Sequence, residues 1–359
     1  MGQKMDTFNK LLETGWQSWS TRNKSIIKFP LRDFSPVKDS NLSIPKEIKL
    51  KPPISGWCSW YAFFTNITED IILNQVEWFS ENKQIPIEYI LIDNKWTEWG
   101  DWLYYDRKRF PNGLKYLNKT VKKTGFKPGI WISPFLVSPN SNLIREHPDW
   151  IVRIKGKPRD GLKLTPIDSL FPYKKYILDI ENEEVIEYLH KCIKKLIEDY
   201  GFELLKLDFL YAPYFNPKSR NVDKLLRNFL LKIKSDYPDV YTIGCGCPLI
   251  PAIGAVDSMR IGPDIIFPPF EKIPILNRIY HNYTSKMVIE NVKKRELTKI
   301  FWNLDPDVFL CRKTLGFSEN RILYLRNMIK NLNGNIFLGD DMTKLSNERV
   351  RKFIIPLFD

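Results

Sequence analysis

The chain has 359 residues, 43% of them hydrophobic and 27% charged, and carries a formal net charge of +13. This length and apolar content suffice for one large α/β domain, and no stretch approaches the roughly 18 apolar residues that span a bilayer. Lysine and arginine are interspersed with aspartate and glutamate along nearly the whole chain. The charge pattern therefore predicts a solvated surface of mixed charge, with neither a nucleic acid nor a membrane as partner.

Short apolar runs with the length of β-strands recur along the chain, and helical patterns separate them. The runs cover residues 55–60, 89–93, 128–133, 204–209, 241–245, 258–261, 301–304 and 335–338. The clearest helix begins at Asn182, a residue type favoured at N-caps, and ends at Gly201. Strands and helices in alternation predict a parallel sheet, and eight such units fit a (β/α)8 TIM barrel. A doubly wound open sheet is the alternative, but it would not gather polar residues from so many strands into one pocket.

Three segments depart from this alternation. Residues 1–54 are polar and contain proline, so we predict a short N-terminal extension with a tryptophan-rich loop, followed by a barrel over residues 55–359 without sizeable β-sandwich domains. Residues 134–180 contain six prolines and are expected to run over the barrel mouth and cover part of the site. The interval 245–258 is too short for a full helix.

The five cysteines are odd in number and have no disulfide-framework spacing, and the first residues contain no apolar signal region. These features predict a reducing, cytoplasmic location. The three histidines lack metal-ligand spacing, and no phosphate loop or dinucleotide glycine motif is present. The sequence therefore predicts chemistry without a metal or a cofactor.

Acidic residues follow several of the predicted strands. Asp93, Asp208 and Asp264 all fall at carboxyl ends, where the sites of (β/α)8 barrels lie. An unpaired charge at the tip of a buried strand has a desolvation cost that a purely structural role rarely justifies. Paired carboxylates at strand ends indicate acid/base or covalent chemistry. The 11 tryptophans add aromatic faces that stack well on sugar rings, although core packing accounts for many of them.

An ordered set of short motifs resembles the α-galactosidases of glycoside hydrolase family 36, which are related to family 27. The motifs are Gly56-Trp57-Cys58-Ser59-Trp60-Tyr61, Ile92-Asp93, Gly100-Asp101-Trp102, Pro128-Gly129-Ile130-Trp131, Lys206-Leu207-Asp208-Phe209, Gly244-Cys245-Gly246 and Met259-Arg260-Ile261-Gly262-Pro263-Asp264. The resemblance covers about residues 55–340, with Trp16-Gln17-Ser18-Trp19 as a further island. Each motif is short, but their common order makes a chance match improbable.

The resemblance implies a retaining mechanism with a covalent glycosyl-enzyme. Asp208 matches the nucleophile of a Lys-x-Asp motif, and Asp264 matches the general acid/base of an Arg-x-x-x-Asp motif. We expect Lys206, on the same strand face as Asp208, to favour the ionised nucleophile, and burial or the nucleophile's charge to favour the protonated acid. In retaining enzymes the two carboxyl groups stand about 5–5.5 Å apart.

The remaining matched residues are expected to hold the sugar. The resemblance assigns substrate binding to Trp19, Trp60, Asp93, Asn94, Trp131, Lys206, Cys245 and Arg260. Asp93 matches the first of two consecutive acids that bind sugar hydroxyls, whereas Asn94 replaces the second and offers a donor and an acceptor but no charge. The tryptophans match aromatic walls, and Cys245 matches a small residue of the pocket wall.

Together these features predict a retaining, exo-acting α-galactosidase that hydrolyses terminal α-linked galactosyl residues of small α-galactosides or oligosaccharides. An α-N-acetylgalactosaminidase and a raffinose-synthase-like α-galactosyl transferase are alternatives within the enzyme class. A non-catalytic, basic glycan- or nucleic-acid-binding protein on a barrel scaffold is an alternative of another class. The carboxylate pair argues against it, because two carboxylates repel phosphate. The sequence leaves a homo-oligomer open.

Overall fold

The computed structural model describes residues 47–162, 174–266 and 273–359. Its central sheet has nine parallel strands. They are β1 (Ser55–Cys58), β2 (Tyr89–Ile92), β3 (Lys127–Ile132), β8 (Leu204–Leu207), β9 (Tyr241–Gly244), β10 (Ser258–Arg260), β11 (Asn303–Asp305), β12 (Val308–Phe309) and β13 (Ile336–Leu338). Their spatial order is β11-β10-β9-β8-β3-β2-β1-β13-β12.

The two ends of this sheet meet inside one run of chain. Strands β11 and β12 are separated only by Pro306 and Asp307. Strand β11 pairs with β10, and β12 pairs with β13. The run 303–309 therefore acts as a single barrel strand and closes the sheet into an eight-stranded barrel. The predicted (β/α)8 fold is confirmed, and each predicted strand run overlaps one of these strands.

Four shorter strands lie between β3 and β8. Strand β4 (Leu136–Val137) pairs antiparallel with β7 (Tyr176–Ile177), and β5 (Arg153–Ile154) pairs with β6 (Lys157–Pro158). They occupy the described part of the 134–180 segment. The Nζ of Lys175 in this segment lies 5.0 Å from the centre of the Trp99 ring. The segment therefore contacts a tryptophan that follows β2.

Helices cover the outside of the barrel. The α-helices are α1 (Trp60–Phe63), α2 (Glu69–Glu81), α3 (Leu114–Lys123), α4 (Asn142–Glu146), α5 (Glu183–Lys194), α6 (Val222–Asp236), α7 (Leu249–Ala252), α8 (Pro274–Arg295), α9 (Glu319–Leu332), α10 (Asn347–Arg349) and α11 (Ile355–Phe358). Short 3-10 turns occur at Ala212–Phe215, Glu296–Ile300, Lys313–Leu315 and Met342–Lys344, and π-helical turns at Lys195–Asp199 and Val350–Ile354. Within the described ranges, no helix is both long enough and apolar enough to cross a bilayer.

Local sequence explains the clearest of these helices. The side chain of Asn182 accepts a hydrogen bond from the Glu184 N–H and caps α5, as predicted. The apolar face of the helix is buried against the barrel. A π-helical turn, Lys195–Asp199, continues the helix before Gly201. The predicted shortness of the 245–258 interval is also confirmed, since it contains only α7.

A glycine permits the close approach of two strands at the barrel closure. A Cβ added to Gly334 would lie 2.2 Å from the carbonyl oxygen of Leu304. The adjacent Asn335 N–H donates to that same oxygen at 2.9 Å. Any side chain at residue 334 would therefore force β11 and β13 apart.

Candidate active site

The carboxyl ends of the barrel strands carry the predicted acids. Asp208 follows β8 directly, and its N–H donates to the Ile132 carbonyl at 2.9 Å. Its Oδ2 accepts from the Trp131 indole N–H at 2.9 Å, and its Oδ1 accepts from the Phe209 N–H at 2.7 Å. Phe209 has φ = 54°, a strained conformation for a residue other than glycine. Backbone and indole together fix the direction of this carboxylate, as a site residue requires.

Burial raises the pKa of Asp208 above the usual range. The charge of Lys206 and hydrogen bonds from Trp131 and Cys245 oppose this rise, while the charge of Asp264 adds to it. The influence of Lys206 thus has the expected direction, toward the ionised form, but burial outweighs it. The pKa of Asp208 therefore depends on each hydrogen-bond donor that contacts its carboxylate.

Lys206 forms its ion pair with Asp93 rather than with Asp208. The Lys206 ammonium lies 2.8 Å from Asp93 Oδ2, and both side chains are buried. The Cys58 thiol donates to the same oxygen at 3.5 Å, and the Asn94 N–H donates to Oδ1 at 2.8 Å. Burial lowers the pKa of Lys206, but neighbouring acidic groups, chiefly Asp93, outweigh it and raise the pKa well above its usual value. Lys206 therefore compensates the charge of Asp93.

Asn94 is oriented by a tryptophan that the sequence had not marked as a site residue. The Trp99 indole N–H donates to Asn94 Oδ1 at 2.7 Å. Because an indole N–H can only donate, the amide oxygen must face Trp99, and the amide nitrogen presents two donors elsewhere. Trp99 also packs against Trp131 and Phe209, with ring centres 4.9 and 5.5 Å away. In the sequence, the close spacing of Trp96, Trp99 and Trp102 after β2 was the feature that could have indicated Trp99 as a site residue.

Asp264 is less buried than expected. Its side chain is 46% exposed, and its Oδ1 accepts from Arg260 Nη2 at 3.1 Å. The loop after β10 leaves this carboxyl group open to solvent, so it is not enclosed as expected, and the expected influence of the nucleophile's charge on its protonation stays a prediction. The 5–5.5 Å separation from Asp208 stays a prediction.

Asp307 joins the site without having been assigned a role from the sequence. Its Oδ2 lies 2.5 Å from Arg260 Nη2 and accepts from the Tyr61 hydroxyl at 2.5 Å and from the Ile265 N–H at 2.8 Å. Burial raises the pKa of Asp307 to about 7, although Arg260 opposes the rise. The available signal was a second acid, two residues after Asp305, at the end of a barrel strand.

The other predicted residues divide into three groups. Trp131 and Cys245 are buried and contact Asp208. Trp60 is partly exposed, and its ring centre lies 4.5 Å from that of Phe64. Trp19 lies outside the described residues. Within those residues, no group of three or more histidine, cysteine, aspartate or glutamate side chains is arranged to hold a metal ion.

Comparison with known proteins agrees with this geometry. Residues 53–225 match the family model described as Melibiase. This segment, just under half of the chain, is similar to the melibiase family. Among its curated relatives in sequence, α-galactosidase AgaA of Geobacillus stearothermophilus is 29% identical over 158 residues, 42% of this chain and 20% of that protein. The α-galactosidase of Escherichia coli is 27% identical over 180 residues, 48% of this chain and 23% of that protein. The alignments thus span only about a quarter of these relatives or less.

Solved structures of α-galactosidases share the fold over most of the chain. The α-galactosidase TtGalA of Thermus thermophilus, in complex with stachyose, superposes with a TM-score of 0.74 at 26% identity, covering 87% of this chain and 66% of that one. The family 36 α-galactosidase AgaA of Geobacillus stearothermophilus gives a TM-score of 0.63 at 19% identity, with 86% and 42% covered. The second likeness concerns the fold alone.

Proposed function

We propose that this protein is a retaining, exo-acting α-galactosidase. The observation that carries the proposal is the hydrogen-bonded environment of Asp208, a partly buried carboxylate aimed by Trp131, together with a second, ion-paired carboxyl group, Asp264. The curated names of relatives in the family support the choice of α-galactosides. TtGalA has also been solved with p-nitrophenyl α-galactoside, again at 26% identity.

The proposed first step is attack by Asp208 on the anomeric carbon. Trp131 and the Phe209 N–H occupy one position on each carboxylate oxygen, which leaves further lone pairs for the sugar. Holding the carboxylate in one orientation reduces the entropic cost of the attack. Cleavage of the glycosidic bond leaves the sugar covalently bound to Asp208.

Asp264 supplies the proton in this scheme. It protonates the leaving oxygen as the bond breaks, and it then takes a proton from the water that hydrolyses the glycosyl-enzyme. Formation of the ester removes the charge of Asp208, which makes it easier for Asp264 to act as a base. The partial exposure of Asp264 suits this second role, since the attacking water must reach it.

The sugar-binding end of the site is built around Asp93. Its carboxylate is charge-compensated by Lys206 and can accept sugar hydroxyls, a contact that discriminates strongly against sugars lacking them. Asn94 adds donors at the place where the family has a second acid. We therefore place the non-reducing galactosyl residue between Asp93 and Asp208.

The cellular setting is part of the proposal. All five cysteines are buried and unpaired, which is compatible with a reducing cytoplasm. We propose that the enzyme works without a metal or a cofactor, because the two carboxyl groups supply both the nucleophile and the proton. The homo-oligomer and the domain division at residues 54 and 55 stay predictions.

The nucleophile is tested with p-nitrophenyl α-galactoside and the variant Asp208→Gly. We expect the variant to lose turnover, and equal activity of variant and wild type would exclude Asp208 as nucleophile. In Asp264→Ala, external azide should restore turnover of an activated substrate and give a product of retained configuration. An azide product of inverted configuration would exchange the two roles.

The sugar specificity is tested by a panel of α- and β-linked aryl glycosides that includes the α-N-acetylgalactosaminide. Preference for the α-galactoside supports the proposal, and faster turnover of the acetamido sugar would replace it. A product analysis with excess raffinose separates hydrolysis from galactosyl transfer. Absence of turnover on every glycoside, with salt-sensitive DNA binding, would favour the non-catalytic alternative.

A further inference from the structure

Asp307 occupies an unusual place in the barrel strand 303–309. It lies in the break between β11 and β12 with φ = 80°, the left-handed region that few residues other than glycine adopt. Its own N–H donates to Asp305 Oδ1 at 3.0 Å. Such a conformation is strained and persists where the surrounding structure holds it in place. The contacts of the Asp307 carboxyl group are therefore part of what holds this conformation.

Three donors converge on one oxygen of that carboxyl group. Arg260 Nη2 and the Tyr61 hydroxyl both lie 2.5 Å from Asp307 Oδ2, and the Ile265 N–H lies 2.8 Å from it. Arg260 Nη2 also donates to the Tyr61 oxygen at 3.3 Å. Asp307, Tyr61 and Arg260 therefore form a buried cluster that does not itself contain Asp264.

Two of the three donors lead directly to the proposed acid/base. Arg260 Nη2 holds Asp264 Oδ1 at 3.1 Å. The Ile265 N–H belongs to the peptide bond that follows Asp264, and the Ile265 carbonyl accepts from the Thr284 hydroxyl at 2.8 Å. Asp307 thus fixes both the cation that touches the Asp264 carboxyl group and the backbone from which that group extends. Asp264 itself, at 46% exposure, has little packing to hold it.

We propose that Asp307 is the positioning residue of the acid/base: through Arg260 and the Ile265 N–H it holds the Asp264 carboxyl group where it can protonate the leaving oxygen. The inference rests on the proposed function. Asp307 also divides the charge of Arg260 between two carboxyl groups.

The proposal separates proton donation from the rest of catalysis. General acid catalysis contributes about 10²–10⁴-fold, and it matters most when the leaving group is a poor one. When stachyose is cleaved, the departing oligosaccharide is a sugar alkoxide and needs the proton, whereas p-nitrophenol is acidic enough to leave with little help. A displaced Asp264 should therefore slow stachyose hydrolysis much more than p-nitrophenyl α-galactoside hydrolysis.

The decisive experiment measures kcat and KM for both substrates in wild type and Asp307→Asn. We expect kcat/KM on stachyose to fall about 100-fold and on the aryl galactoside no more than about 10-fold, mainly through kcat. Asp257→Asn is the matched control. Asp257 is also buried, accepts from the Thr242 N–H at 2.9 Å and pairs with Lys51 at 3.2 Å, but it precedes β10 at the opposite end of the barrel. This control should leave the ratio of kcat/KM on stachyose to kcat/KM on the aryl galactoside unchanged.

The outcomes distinguish this inference from the function on which it rests. If wild type hydrolyses both substrates but Asp307→Asn slows them equally, or slows neither, Asp307 does not position the acid and only the inference fails. A wild type inactive on every α-galactoside overturns both. If Asp307→Asn does not fold, Tyr61→Phe replaces it in the experiment. This variant removes the hydroxyl that contacts both Asp307 and Arg260. In Tyr61→Phe the ratio of kcat/KM on stachyose to kcat/KM on the aryl galactoside should also fall, and an unchanged ratio would overturn the inference.

Discussion

The hydrogen bond between Trp131 and the proposed nucleophile gives a pH prediction whose size follows from the structure. The Trp131 N–H donates to Asp208 Oδ2 at 2.9 Å and lowers a pKa that burial has raised. Trp131→Phe keeps an aromatic ring but removes this donor. A hydrogen bond to a charged group contributes about 1.5–3 kcal/mol, and one pKa unit corresponds to about 1.4 kcal/mol. The pKa of Asp208 should therefore rise by about 1–2 units in the variant.

The sign of the effect follows from the proposed role of Asp208. Only the ionised carboxylate attacks, so activity is present above its pKa and is lost as the pH falls through it. The acid limb of kcat/KM reports this group in the free enzyme, and it should move to higher pH in Trp131→Phe by the same 1–2 units. The assay is the pH profile of p-nitrophenyl α-galactoside hydrolysis. Weaker sugar binding by the variant would lower the height of the profile without moving its limb.

Trp102→Phe is a matched control for this experiment. Trp102 is buried, its ring centre lies 6.0 Å from that of Trp131, and its indole nitrogen has no hydrogen-bond partner in the described part of the chain. This variant removes an N–H from the same aromatic cluster without removing a donor to Asp208. Its acid limb should remain where it is in wild type. If both variants shift the limb equally, or neither does, the indole of Trp131 does not tune the nucleophile.

Three further outcomes are expected. Asn94→Asp restores the second carboxylate of the family and should lower KM for α-galactosides about 10-fold, because a hydroxyl then donates to a charged acceptor; an unchanged KM would show that residue 94 does not contact the sugar. Lys206→Met leaves the buried charge of Asp93 uncompensated and should cost about 3–5 kcal/mol in urea unfolding, whereas adding Asp93→Asn should recover part of this loss. Gly334→Ala should destabilise the barrel by about 1–3 kcal/mol in the same assay, since the new Cβ meets the Leu304 carbonyl; a smaller loss would mean that the strands separate easily.

The strands and the position of the acids at their carboxyl ends could be predicted from the sequence because both depend on local pattern. Continuous apolar runs are typical of strands buried on both faces, and acids at their ends fall at the barrel mouth whatever the details of packing. The N-cap at Asn182 is equally local. These features survive small errors in the position of each element.

The partners of the charged groups could not be predicted in this way. Lys206 and Asp208 share a strand face, but the Lys206 ammonium reaches Asp93 at the end of β2, with β3 lying between the two strands in the sheet. The exposure of Asp264 depends on the path of the loop after β10. The role of Asp307 depends on the break between β11 and β12. In the sequence, Asp305 and Asp307 are only two separate acids at the end of a strand. Each of these depends on distances between elements far apart in the chain.

The closure of the barrel within residues 303–309 also has a consequence for the order of folding. Until residues 303–338 have been synthesised, β1 (Ser55–Cys58) and β10 (Ser258–Arg260) each lack a neighbour and present an open edge. Open edges of this kind pair readily with other chains. The same late segment brings Asp307 to Arg260. The sheet therefore loses its open edges at the same stage at which the proposed positioning of Asp264 is completed. A chain truncated before residue 303 should therefore aggregate rather than persist as a soluble enzyme of reduced activity.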